Sequence, residues 1–139
     1  MKTLTTQILF AAAALTAVAM VAPAQTMKAE IPFAFSAGPY TMRPGSYDLT
    51  MAEGSRHITL RNDDTGKSSM LISLTELEAP HSARNRGARL RFDCASGRCV
   101  LREIWSAPDR RGSLLPGPKF GRHEAAQSKE ITLTKVAAR

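Results

Sequence analysis

The stretch Ala88–Trp105, ARLRFDCASGRCVLREIW, decides how this chain folds. It reads as two strands around a turn, with register, covalent chemistry and core packing all bearing on one segment. The pattern predicts a β-hairpin in which Cys94 and Cys99 face each other across an Ala95-Ser96-Gly97-Arg98 loop. Directly opposed, non-hydrogen-bonded positions bring Cβ atoms close enough for a disulfide. Closing so small a ring stabilises by roughly 2 kcal/mol in the chain-entropy view. It also pins the register, because a slip of one residue would exchange the two faces. An uninterrupted register sets Phe92 opposite Leu101, Leu90 opposite Glu103 and Ala88 opposite Trp105. The other face then carries Asp93 with Val100, Arg91 with Arg102 and Arg89 with Ile104. This map contains two conflicts. Glu103 shares a face with Phe92, Leu101 and Trp105, and Arg91 meets Arg102 as a like-charge pair, which destabilises a sheet.

Outward from the hairpin, the chain reads as short strands separated by turn formers. Met27–Ser36 is one strand candidate, with Ile31, Phe33 and Phe35 alternating and Pro32 marking an edge or a strand start. Arg43-Pro44-Gly45 is a turn, and Ser46–Ala52 follows with Tyr47, Leu49 and Met51 on one face. Arg56–Arg61 turns Ile58 and Leu60 inward, and Asn62–Gly66 is dense in turn residues. Lys67–Leu77 places Met70, Ile72 and Leu74 on one parity and Leu71 and Leu77 on the other, which implies a bulge or cover on both faces. Glu78–Gly87 reads as a polar loop and Ser106–Gly121 as irregular chain. Arg122–Lys129 can form two helical turns, and Ile131–Val136 closes as a last strand. The pattern predicts an all-β fold: an antiparallel sandwich or small barrel of about seven strands, with a short helix before the last strand.

The N-terminus has the pattern of an export signal. Lys2 is followed by the uncharged, mostly apolar run Ile8–Val21 and by Ala22-Pro23-Ala24, a small-x-small cleavage pattern. The run is short of the about 20 residues a membrane span needs. Residues 1–24 therefore read as a signal peptide and 25–139 as a single β-rich domain, with no transmembrane span in the mature chain and a periplasmic or extracellular destination. An even cysteine count in an exported chain points to one disulfide.

Several of these segments together resemble a family of small exported β-rich proteins of soil bacteria. The matching pieces are Ile31-Pro32-Phe33-Ala34-Phe35, Pro44-Gly45-Ser46-Tyr47, Glu103-Ile104-Trp105, Gly112 with Leu115-Pro116, and the segment Lys119–Glu124. They span most of the mature chain. Members that it resembles carry a Tyr-Gly-rich turn where this chain has the Cys94 and Cys99 pair, so the cysteines are a departure that substitutes one staple for another. The resemblance implies an exported β-rich fold and assigns no activity, ligand or cofactor.

No catalytic constellation emerges from the residues. Asp64-Thr65-Gly66 matches the aspartic-protease tripeptide, but Arg61-Asn62-Asp63 before it and Lys67 after it deny the apolar cleft that shares a proton between carboxylates. Gly66-Lys67-Ser68 lacks the upstream glycine of a phosphate loop. His57, His81 and His123 lack metal-ligand spacing, and no Gly-x-Ser-x-Gly elbow occurs. No metal or cofactor is implied. The formal charge of +7 is concentrated around the hairpin, where Arg89, Arg91, Arg98 and Arg102 form a candidate anion-binding surface. Two readings of this surface stand: it meets an anionic envelope component, or it is a solvated basic face that keeps the protein soluble. A nucleic acid is disfavoured, because its readers present exposed aromatics and the aromatics here fit inward positions. Two roles follow for the chain: a non-enzymatic structural or binding module of the envelope or extracellular space, or a small hydrolase using carboxylates such as Glu103 and Asp48. Recovered from an exporting host, the protein is expected to begin at Gln25 with both thiols oxidised. Intact mass and thiol titration check this, and a retained N-terminus or two free thiols would refute it.

Overall fold

The computed structural model describes residues 24–52, 54–81, 86–106, 111–121 and 125–136. The leader assigned to residues 1–24 lies outside them except for Ala24. The described residues form two β-sheets and contain no α-helix. No helix among them is long and apolar enough to cross a membrane. One sheet consists of β1 (Ala24–Ile31), β4 (Gly45–Ala52), β5 (His57–Asn62), β6 (Ser68–Ile72) and β12 (Thr134–Lys135), in the order β12-β1-β4-β5-β6 and antiparallel throughout. The other contains β7 (Thr75–Leu77), β8 (Arg89–Ala95), β9 (Arg98–Trp105), β10 (Gly112–Leu114) and β11 (Gln127–Thr132), in the order β11-β8-β9-β10-β7. A small hairpin of β2 (Phe35–Ala37) and β3 (Tyr40–Met42) joins this sheet where Ser36 pairs in parallel with Val100. The sheets are open and do not close into a barrel.

The alternation of each strand supplies one apolar face, and the two faces meet in a shared core. Met27, Ala29, Ile31, Tyr47, Leu49, Ile58, Leu60 and Leu71 enter from the first sheet. Leu90, Phe92, Cys99, Leu101 and Ile104 enter from the second. Phe35 joins them, with its ring edge-on to Tyr47 at 5.5 Å and to Phe92 at 5.3 Å. Edge-to-face pairs at such distances contribute about 1 kcal/mol each beyond area burial. The Tyr47 hydroxyl donates to the Arg43 carbonyl at 2.5 Å, so its polar end is satisfied within the core.

The hairpin forms with Cys94 opposite Cys99 and the disulfide closed, the two Cα atoms 4.0 Å apart. Its loop is tighter than the four residues expected. Ala95 pairs with Arg98, and only Ser96 (φ 52°) and Gly97 (φ 74°) turn. Positive φ at both corners is the type I′ geometry whose twist matches the flanking strands. The register holds through Phe92 opposite Leu101 and then shifts, so that Arg91 faces Glu103, Leu90 faces Ile104 and Arg89 faces Trp105. Arg102 is the extra residue of a β-bulge. This corrects the uninterrupted map and removes both of its conflicts. Arg91 meets a carboxylate in place of Arg102, and Glu103 leaves the core face, which Ile104 takes over. Trp105 also moves to the outer face.

Three expected single strands are divided because the chain passes from one sheet to the other. At Pro32, which has no N–H to donate, β1 ends in the first sheet and β2 resumes in the second. Lys67–Leu77 divides at Ser73-Leu74, where the Leu74 N–H turns to the Leu114 carbonyl and Arg56 donates to the carbonyls of Ser73 and Leu74. Leu71 faces the core and Met70, Ile72 and Leu74 face solvent. Ile131–Val136 divides at Leu133, which is buried between β11 and β12. Ser106–Gly121, expected to be irregular, contains β10. The helix expected over Arg122–Lys129 is contradicted at its C-terminal end. Gln127–Lys129 are strand, paired to Cys94–Phe92, because an open edge of β8 satisfies their backbone more completely than a short isolated helix would. Residues 122–124 lie outside the described residues. Replacing both cysteines by alanine is expected to lower stability by about 2 kcal/mol, checked by urea unfolding. The β8–β9 register should survive in amide exchange, because the turn and the core face also specify it.

Candidate functional site

The bulge builds the outer face of the second sheet. Across it run two rungs of paired residues. One comprises Glu130 on β11, Arg91 on β8 and Glu103 on β9; the other comprises Thr132, Arg89, Trp105, Gly112 and Leu77. Arg91 is the hub of the first rung. Its Nη1 donates to Glu103 Oε1 at 2.6 Å and its Nε to Ser128 Oγ at 2.8 Å, and Asp93 lies 3.7 Å from Nη2. The second oxygen of Glu103 accepts from Trp105 Nε1 at 2.9 Å. Glu103 is therefore mostly shielded, with 15% of its side chain accessible, and both carboxylate oxygens have a donor. A carboxylate satisfied in this way orients Arg91 and the indole.

Trp105 is 4% exposed although it faces outward. Arg89 covers one side, its guanidinium carbon 5.1 Å from the ring centroid. Gly112 lies opposite Trp105 in the register and lets the indole settle on the backbone, since a Cβ there would stand 2.7 Å from ring carbons. Arg89 is itself 7% exposed. Its Nη1 donates to the Gly87 carbonyl at 3.2 Å, and Glu130 Oε1 approaches Nε to 3.7 Å, but among the described residues Nε has no hydrogen-bond partner. Buried polar atoms are nearly always paired, so this guanidinium is under-satisfied.

Above these residues lies an open groove of about 760 Å³ lined by Arg86, Arg89, Arg91, Glu103, Trp105 and Glu130 among others. Exposed Arg86 donates to Glu130 at 3.0 Å across its rim. Of the four arginines singled out in the sequence, Arg89 and Arg91 enter this groove. Arg102, the bulge residue, instead donates to the Gly117 carbonyl at 3.3 Å and lies 3.8 Å from Asp93. Arg98 stands at the hairpin tip, 5.8 Å from the Phe120 ring centroid. The groove also recruits Arg86, a basic residue of the loop entering the hairpin, and Ser128 and Glu130, which the sequence did not single out. Ser128 was expected on the helix and Glu130 between that helix and the last strand, and the position of both follows from β11 pairing with β8.

Asp48 and Glu103 do not come together. Asp48 lies on β4 in the first sheet, next to core residues Tyr47 and Leu49 but facing outward, whereas Glu103 faces outward from the second sheet. Asp48 belongs to a separate cluster in which Lys28 Nζ lies 2.8 Å from Asp63 and 3.9 Å from Asp48. The hydrogen bond from Lys28 holds the Asp63 carboxyl below the usual aspartate value, and the same bond raises Lys28. Partial burial, followed by the neighbouring Asp63, raises Asp48. One lysine thus serves two unequal carboxylates on an open sheet face. Among the described residues, no group of three or more His, Cys, Asp or Glu side chains is placed to hold a metal ion.

Neither protein-family models, nor curated proteins, nor solved structures provide a match to this chain. Gly112→Ala is expected to destabilise the protein by about 1–3 kcal/mol through overpacking against Trp105. It should also shift the emission of this single tryptophan to the red, and unchanged melting and fluorescence would show that the indole does not rest on Gly112.

Proposed function

We propose that the chain is an exported, non-enzymatic binding module that takes an acidic group of a cell-envelope glycan into the groove between Arg86, Arg89 and Arg91. The observation that carries this reading is Arg89: a guanidinium more than nine-tenths buried, stacked on Trp105, lining the groove with one N–H unpartnered among the described residues. A carboxylate or phosphate seated beside Arg86 would draw Glu130 away and complete the arginine set with charge-assisted hydrogen bonds. Ser128 and the free oxygen of Glu130 supply polar partners for sugar hydroxyls. The disulfide and the signal-like leader support a place outside the cytoplasm. The pattern shared with small exported β-rich bacterial proteins supports the same setting. The two facing sheets suit this role as a sandwich that offers its outer surfaces to ligands and keeps its core closed.

Uronic-acid oligosaccharides and glycerol phosphate, titrated into labelled protein, are expected to shift the Trp105 indole and Arg91 side-chain signals, with binding that weakens as salt rises. Arg86→Glu should weaken it by roughly tenfold or more, while Arg98→Glu, at the hairpin tip, leaves it within about twofold. No shift with either probe, or equal loss in the two variants, would overturn the assignment to this groove.

A further inference from the structure

The edges of the two sheets are unequal. β12 is two residues long and β7 three, and β11 carries Lys129 and Glu130. Short or charged edges resist pairing with other chains. β3, paired only with β2, is three residues long. Among the described edges β6, Ser68-Ser69-Met70-Leu71-Ile72, is the longer one without any charge. Asn62 donates to the Lys67 carbonyl and Ser73 to the Arg56 carbonyl. By the antiparallel alternation, Ser69 and Leu71 then spend their backbone groups on β5, while those of Met70 and Ile72 point off the sheet. The same two residues carry exposed apolar side chains. Met70 is 58% exposed and Ile72 54%, both on the solvent face of β6. Backbone groups without a partner among the described residues and an apolar pair thus coincide on one strand.

We propose that β6 is a homodimer interface, at which two copies pair β6 to β6 antiparallel around a two-fold axis at Leu71 and join their five-stranded sheets into one. In this register Met70 of one copy hydrogen-bonds reciprocally with Ile72 of the other, and each apolar side chain lies beside the partner's. The pair matches itself because it is uncharged and symmetric about Leu71. Charge permits the contact despite the +7 of the chain. His57, Thr59 and Arg61 on β5 would stand three strand spacings from their counterparts, roughly 14 Å. That exceeds the screening length of about 8 Å at physiological ionic strength. The contact is small, so the dimer is weak and concentration-dependent.

Sedimentation equilibrium of the protein as processed by an exporting host, from low micromolar to near-millimolar concentration, is expected to show a monomer–dimer equilibrium. Met70→Lys and Ile72→Lys should each weaken it roughly tenfold or more. Both sites are more than half exposed, so melting should be unchanged. Val136→Lys, exposed beyond β12, should leave the equilibrium intact. In the unmodified protein the amides of Met70 and Ile72 should gain exchange protection as concentration rises. A monomer at every concentration, a dimer indifferent to both β6 substitutions, or β6 amides protected only by a different, acidic strand would each overturn the proposal.

Discussion

The outer face of the second sheet depends on one extra residue in β9. Arg102 has no partner on β8, and its insertion inverts the alternation of everything after Leu101. Without it, Glu103 would be driven into a core of Phe92 and Leu101, at the several kcal/mol that an unpaired buried carboxylate costs. With it, Ile104 fills the core, Glu103 meets Arg91, and Trp105 lies between Arg89 and Gly112. The bulge thus relieves a burial penalty and a like-charge repulsion together. It also creates the rung of alternating charge that floors the groove.

The same economy shows at the corners. The chain changes sheets at Pro32, at Ser73-Leu74 and at Leu133, so the two sheets are tied along both sides by continuous strands. Each corner has a physical cause. Pro32 cannot donate to a ladder, Arg56 draws the carbonyls of Ser73 and Leu74, and Leu133 buries its side chain while its N–H bonds to Ala88. The corners leave β6 as the one long, uncharged edge among those described, a consequence of topology that no single strand reveals.

Much of the fold was legible in the sequence. Alternating apolar residues place Tyr47, Leu49, Ile58 and Leu60 inward, because a strand has a period of two and only one face meets the core. Asn62–Gly66 turns as its residues require, with Asn62 Oδ1 accepting from the backbone of Asp64 and Thr65. Of the candidate site, Arg89, Arg91 and Glu103 were legible as residues, but their relations were not. A bulge leaves no mark in a pattern of alternation until the partner strand shows which register avoids a buried charge.

By itself, then, the sequence determined the all-β class, the hairpin and the cysteine pairing, since these follow from local alternation, turn chemistry and a separation of five residues. Only the tertiary structure decided where strands change sheets, that Gln127–Lys129 extend a sheet in place of a helix, and which arginines gather around Trp105. Those outcomes depend on partners distant in the chain. Backbone groups pair wherever an open edge lies, and charged side chains turn to whichever face lets them keep a partner.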